Sequence, residues 1–247
     1  MRVAVSGAGG KLANPIIEAI VADDALELAA LFNPNRVGTQ VAGIEVTGEA
    51  SSVAADVIVE TAHPDVVFDN IEVWRRSGAA LVVGTSGFTA ERLERLRYIW
   101  GDSTPCLVVP NFSVGAVLMM RFAAEAARHF EAVEVIERHH ATKPDAPSGT
   151  ALATAARLAS AGGVSSSEGG ELVSGARGAA VDGIRVHAVR LPGLISHQEV
   201  AMSNAGELFS IEHMSTSYES FASGALAAIR GVGELSGGVH VGLDVVI

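Results

Sequence analysis

Through the first 110 residues, short apolar runs alternate with longer segments whose apolar positions recur at helical spacing. Residues 3–6, 26–32, 56–59, 79–83 and 106–109 read as buried strands. Residues 11–21, 65–77 and 90–100 read as helices, the first with Leu12, Ile16, Ile17 and Ile20 on one face. A helix between two strands returns the chain to the same end of a sheet, so such strands pair in parallel and need cover on both faces. The alternation therefore predicts an α/β domain built on a parallel sheet.

The pattern changes after about residue 110. Residues 114–130 form one long apolar helical segment, 132–137 a strand, and a helix starts near Ser148 and runs to 161. A Gly/Ser-rich stretch, 162–170, reads as a loop. Strands are expected at 184–191, 197–202 and 208–212, which suits a smaller α+β domain with a mixed sheet and helices on one side. The tail, helical at 220–232 and strand-like at 239–245, returns to the first domain. The expected division is 1–110 with 216–247, and 111–215.

The formal net charge of −11 lacks the basic footprint of a nucleic-acid binder. A single cysteine, Cys106, rules out an internal disulfide and a cysteine zinc cluster, and its apolar neighbours make it a buried strand residue. No apolar run reaches the roughly 18 residues of a membrane span. Met1 and Arg2 lead straight into a strand pattern, so a cytoplasmic protein is expected.

The first strand runs into Gly7-Ala8-Gly9-Gly10-Lys11-Leu12-Ala13. A glycine turn between a strand and a helix presents backbone N–H groups to a pyrophosphate, with Gly7 and Gly10 at the positions that matter and Ala13 at the third. A plain tight turn is the competing reading. The second strand ends at Phe32-Asn33-Pro34-Asn35-Arg36, with no acid to read a free ribose and with Arg36 close by. Together with Lys11 this favours NADPH over NADH, although Asn33 can also bond a ribose hydroxyl. Two further loops, Gly84-Thr85-Ser86-Gly87 and Pro110-Asn111-Phe112-Ser113, lie at carboxyl ends of expected strands, where ligands of such sheets bind.

Residues 137–150 read Glu-Arg-His-His-Ala-Thr-Lys-Pro-Asp-Ala-Pro-Ser-Gly-Thr. Ser148 is placed to cap a helix, which makes the Gly149 and Thr150 amides an anion site. Lys143 brings a full positive charge, and His139 or His140 a proton. Hydride reduction of a C=N or conjugated bond needs one such proton. The set fits a reductase acting on an anionic, imine-like ring. Zinc fits less well: adjacent histidines on a strand face opposite sides and no third ligand stands at suitable spacing, so no metal is expected.

In this segment the chain resembles the dihydrodipicolinate reductase family, matching its signature Glu-x-His-His-x-x-Lys-x-Asp-Ala-Pro-Ser-Gly-Thr-Ala from Glu137 to Ala151. The likeness extends to the glycine loop and to residues 84–88, 110–115, 177–178, 187–194 and 221–225. It implies a Rossmann-type domain, a smaller substrate-binding domain that also forms a homotetramer, and NAD(P)H-dependent reduction of 4-hydroxy-tetrahydrodipicolinate in lysine and diaminopimelate synthesis. It further implies that His139 is the proton donor, with Lys143 at the reacting nitrogen and its carboxylate. His140, Ser148, Gly149 and Thr150 would serve the substrate carboxylates. Gly7, Gly10, Lys11, Leu12, Asn33, Arg36, Gly84, Thr85, Ser86, Pro110, Asn111 and Phe112 would line the cofactor. The chain departs from the family at Ala13, at Asn33 and at Glu60-Thr61-Ala62-His63-Pro64, where an aromatic residue is more usual. The rival readings are another NAD(P)-dependent imine or amino-acid dehydrogenase, and a non-catalytic dinucleotide sensor.

Overall fold

The structure, a computed structural model, describes residues 1–166 and 170–247. The expected loop at 162–170 therefore lies partly outside the described residues. The chain divides into two compact units, Met1–Val114 with Tyr218–Ile247, and Gly115–Ser217.

The first unit is built on β1 (Arg2–Ser6), β2 (Glu27–Phe32), β3 (Gln40–Val41), β4 (Ile44–Thr47), β5 (Val57–Glu60), β6 (Ala80–Val83), β7 (Pro105–Val108) and β13 (Gly238–Val241). Their order is β13-β7-β6-β5-β1-β2-β4-β3, and every pair but β3–β4 is parallel. Successive strand residues point to opposite faces. Ala4, Ile58, Leu81, Val83, Cys106 and Val108 meet Phe68, Ile71 and Trp74 of α2 (Val67–Ser77) and Leu96 and Trp100 of α3 (Ala90–Trp100). The alternate residues Val3, Val5, Val57, Val59, Val82 and Leu107 are equally buried. On that side α1 (Ala13–Val21) packs on α6 (Ala222–Gly231). Burial on both faces is why these strands read as continuous apolar runs.

The second unit contains α4 (Val114–Ala127, from its second residue), β8 (Ala132–His140), α5 (Gly149–Ser160), β9 (Ala179–Val181), β10 (Ile184–Leu191), β11 (Ser196–Asn204) and β12 (Glu207–Ser215). The sheet order is β12-β11-β8-β10-β9, with β8 and β10 parallel and the other pairs antiparallel. Ala123 and Ala127 of α4 and Ala151, Ala155 and Leu158 of α5 cover one face, on Val133, Val135, Ile184, Val186, Val200 and Met202. The other face carries ion pairs, Arg138 with Glu199 and Glu134 with His187 and Arg177.

Several boundaries differ from the sequence reading. The strand expected at 132–137 continues to His140, so both histidines belong to it. The helix expected to reach 130 stops at Ala127, and the final strand stops at Val241, where Gly242 takes a positive φ of 102°. The short strands β3, β4 and β9 were not expected. One glycine sets how closely a layer approaches: a Cβ on Gly224 of α6 would stand 1.8 Å from the carbonyl oxygen of Phe112. Backbone cannot yield as a flexible side chain does, so Gly224→Ala is expected to cost roughly 3 kcal/mol in urea unfolding. A loss below about 1 kcal/mol would mean that α6 can move away freely.

Candidate active site

The glycine loop follows β1. Gly7 and Gly9 hold positive φ values of 88° and 83°. The Gly7 amide donates to the carbonyl of Phe32 at 2.9 Å, fastening the loop to the end of β2. A Cβ at Gly7 would lie 2.7 Å from Thr61 Oγ1, and one at Gly9 2.8 Å from Cδ of Arg36. The Arg36 side chain thus rests against the loop. Gly9 was not singled out in the sequence; its positive φ, which L side chains rarely adopt, is what calls for glycine there. Asn33 closes the arrangement, donating from Nδ2 to the carbonyl of Ala8 at 2.8 Å and accepting from the amide of Asn35 at 3.0 Å.

Beside the loop lies a cavity of about 310 Å³, lined among others by Ser6, Gly7, Gly10, Asn33, Thr61 and Ala62. That is within the size range of ligand pockets. Its rear wall is tied to Glu60, which is fully buried. The Glu60 carboxylate accepts from the Ala62 amide at 2.7 Å, Trp74 Nε1 at 2.7 Å and Asn70 Nδ2 at 3.1 Å. Burial pushes this carboxyl above the usual range, and the N–H donors draw it only partly back. The departure at 60–64 is therefore a hydrogen-bonded loop anchor.

The remaining candidates in this unit fall into two kinds. Lys11, Ser86 and Pro110 are exposed. Phe112 is buried against Gly84, where a Cβ would come 2.3 Å from its ring and 3.4 Å from Leu12. Thr85 is buried and its hydroxyl donates to the carbonyl of Ala62 at 2.8 Å; Asn111 Oδ1 accepts from the Ser113 amide at 2.8 Å. These two side chains hold the loops at the strand ends.

In the second unit the end of β8 places Glu137 and His139 on the helix-covered face and His140 on the other. His140 Nδ1 meets Thr142 Oγ1 at 2.9 Å. His139 Nδ1 is hydrogen-bonded to Glu137 Oε2, and its Nε2 lies 3.1 Å from Ser196 Oγ. Arg190, beside His139 in the register of β10, grips Glu137 with Nη1 at 2.9 Å and Nη2 at 2.8 Å. The same Nη2 donates to the Asp145 carbonyl at 2.7 Å. Glu137 Oε1 also accepts from the Ser148 amide at 3.1 Å.

Ser148 caps α5 as its sequence suggests, its Oγ accepting from the Ala151 amide at 3.1 Å. Gly149 is open, with nothing within 4 Å of where a Cβ would stand. Lys143 is paired with Asp145 through Nζ contacts of 2.7 and 2.9 Å. The β8–α5 segment thus ties His139 to the first turn of α5 through Glu137, and carries the Lys143–Asp145 pair between them in sequence, with the Asp145 carbonyl bonded to Arg190. Glu137, Asp145, Arg190 and Ser196 complete the group and were given no part in the sequence reading. Among the described residues no group of three or more His, Cys, Asp or Glu side chains could hold a metal ion.

Glu137 has no exposed side-chain surface. Burial alone would raise its carboxyl, but hydrogen bonds from His139 and Arg190, and the charges behind them, outweigh burial and bring it down to about 2. A depressed carboxyl contributes stability above its unfolded value near 4.5, which is lost as pH falls toward 2. The difference corresponds to about 3 kcal/mol. Urea unfolding should therefore show a steeper decline for wild type than for a Glu137→Gln/Arg190→Gln variant over that window. Parallel curves would remove Glu137 from the acid response.

Residues 1–112 match the family model of the dihydrodipicolinate reductase N-terminus, and residues 115–246 that of its C-terminus. A 4-hydroxy-tetrahydrodipicolinate reductase of Nocardia farcinica is 46% identical over 99% of this chain and 97% of its own. One from Streptococcus suis is 42% identical over 94% of each. The dipicolinate-bound dihydrodipicolinate reductase of Paenisporosarcina sp. TG-14 superposes with a TM-score of 0.86 at 34% identity, over 100% of this chain and 99% of its own. The chain belongs to the dihydrodipicolinate reductase family.

Proposed function

We propose that this chain reduces 4-hydroxy-tetrahydrodipicolinate to tetrahydrodipicolinate with NAD(P)H, water leaving from the hydroxylated ring. The observation that carries the reading is the Glu137 carboxylate that joins His139 to the Ser148 amide at the start of α5, with Lys143 on the connecting segment, within one family member. A relative of similar fold binds dipicolinate, a ring dicarboxylate. The rival dehydrogenase and sensor readings have no comparable use for this group.

The residues divide the work by their chemistry. The α5 amides at Gly149 and Thr150, supported by Ser148, receive one carboxylate. Lys143 exchanges Asp145 for the other and assists at the ring nitrogen. His139 delivers the one proton that accompanies hydride addition.

In the first unit the glycine cradle, which Cβ atoms at Gly7 and Gly9 would fill, suits a dinucleotide pyrophosphate. Gly7, Gly10, Lys11, Leu12, Gly84, Ser86 and Pro110 would line the cofactor, which when bound supplies the hydride, while Asn33, Thr85, Asn111 and Phe112 would hold the loops that carry them. Arg36 against Gly9 favours NADPH, because a guanidinium there suits a 2′-phosphate. The second unit is proposed as the tetramer contact, since one face of its sheet carries none of that unit's helices. Among the described residues no helix is long and apolar enough to cross a membrane, and a cytoplasmic setting is proposed.

The test follows absorbance of the reduced nicotinamide with NADPH and NADH in parallel, the substrate being generated from pyruvate and aspartate semialdehyde. Chain-dependent oxidation is expected, and His139→Ala should lower kcat by roughly 10²–10⁴-fold. An unchanged kcat would exclude His139 as the proton donor. In the same assay Arg36→Ala should raise KM for NADPH about tenfold, the scale of one charge-assisted bond, and leave NADH unaffected. Equal effects on both would place Arg36 away from the 2′-phosphate.

A further inference from the structure

We propose that Glu137 is a positioning residue that couples the proton donor to the substrate's anion site, one carboxylate holding both His139 Nδ1 and the Ser148 amide that opens α5. The proposal rests on the assignment of His139 as proton donor, and goes beyond it in naming what sets that donor's tautomer and charge.

The geometry carries the argument. With Nδ1–H committed to Glu137, Nε2 is the only ring atom left to deliver a proton. Its neighbour Ser196 Oγ, at 3.1 Å, can accept from Nε2–H or donate to bare Nε2, so both protonation states are accommodated. The second oxygen of Glu137 accepts from the Ser148 amide, so a shift of this carboxylate moves the donor and the helix start together. Arg190 is bidentate on the same group and fixes its charge.

The charged groups around this centre are few. Arg190 faces it from β10, and the Lys143–Asp145 pair lies along the β8–α5 loop. From β11 come the neutral Ser196 and Gln198, the latter bonded to Thr154 of α5. Arg138 and His140 of β8 point to the opposite face.

The experiment uses the full chain and nitrogen-15 spectra of its histidine rings, assigned through His139→Ala. Glu137→Gln leaves Arg190 buried without its partner, so the informative variant is Glu137→Met/Arg190→Met, which removes both charges with similar volumes and commonly spares folding. In wild type the neutral His139 ring should carry its proton on Nδ1. The double variant should lose that preference, lower kcat about 100-fold, and move the pH above which kcat falls downward by about one unit. KM for the dicarboxylate should rise about tenfold. Glu137→Asp keeps the charge and should restore the pH limit but not KM. If the folded double variant keeps the wild-type ring spectrum and pH limit, the proposal is overturned. If wild type itself fails to reduce the dicarboxylate, the functional assignment fails, and the ring spectra still decide whether Glu137 sets the tautomer.

Discussion

The carboxylate of Glu137 lies out of reach of solvent and stays ionised because four donors converge on it. Stability alone does not account for such a group, since apolar residues of similar volume often replace a buried ion pair without loss. What the pair adds is a fixed junction. Glu137 belongs to β8, Arg190 to β10 and Ser148 to the start of α5, and Arg190 also reaches the Asp145 carbonyl. Four segments thus share one charge pair. Because β8 and β10 run parallel, the penultimate residues His139 and Arg190 emerge side by side at the same end of the sheet.

The same rule governs the first unit. Its strands are parallel from β13 to β4, so their carboxyl ends gather the loops that follow them. β1 sits between β2 and β5, the point at which strand order reverses and where open α/β sheets take ligands. The glycine loop, the Asn33 turn and the Glu60 anchor all lie there, around one cavity. Glu60 does for this loop what Glu137 does for the other, though with N–H donors and no cation among the partners in its direct hydrogen bonds.

Most of this frame was legible in the chain itself. Apolar runs buried on both faces announce a parallel sheet, and the Ser-Gly-Thr helix start was read with its cap. β3 and β4 were not legible, because they are two and four residues long and half exposed, with too few positions to establish a period. Glu137 was in view, and a strand period of two already puts it on the face of His139. Arg190 stands 53 positions away, and only the pairing of β10 with β8 brings it there. The inward commitments of Thr85 and Asn33 were likewise invisible, since a hydroxyl or amide beside a glycine loop reads equally well as ligand contact or as loop support.

Charge then distinguishes the two cations of the second site. A chain of net charge −11 must concentrate positive charge locally to receive a dicarboxylate. Arg190 cannot turn toward a ligand without leaving Glu137 buried and unpaired, which for a broken buried pair costs about 3–5 kcal/mol. Among the described residues the Lys143 side chain is held by Asp145, itself 51% exposed, and a pair open to water on one side is held far more weakly than a fully buried one. A ligand carboxylate can take the place of Asp145 at little cost, and Asp145 returns to water already ionised, its carboxyl lying below the usual range despite partial burial. The recruiting charge is therefore Lys143 together with the first turn of α5, while Arg190 remains behind them as the fixed counter-charge of Glu137.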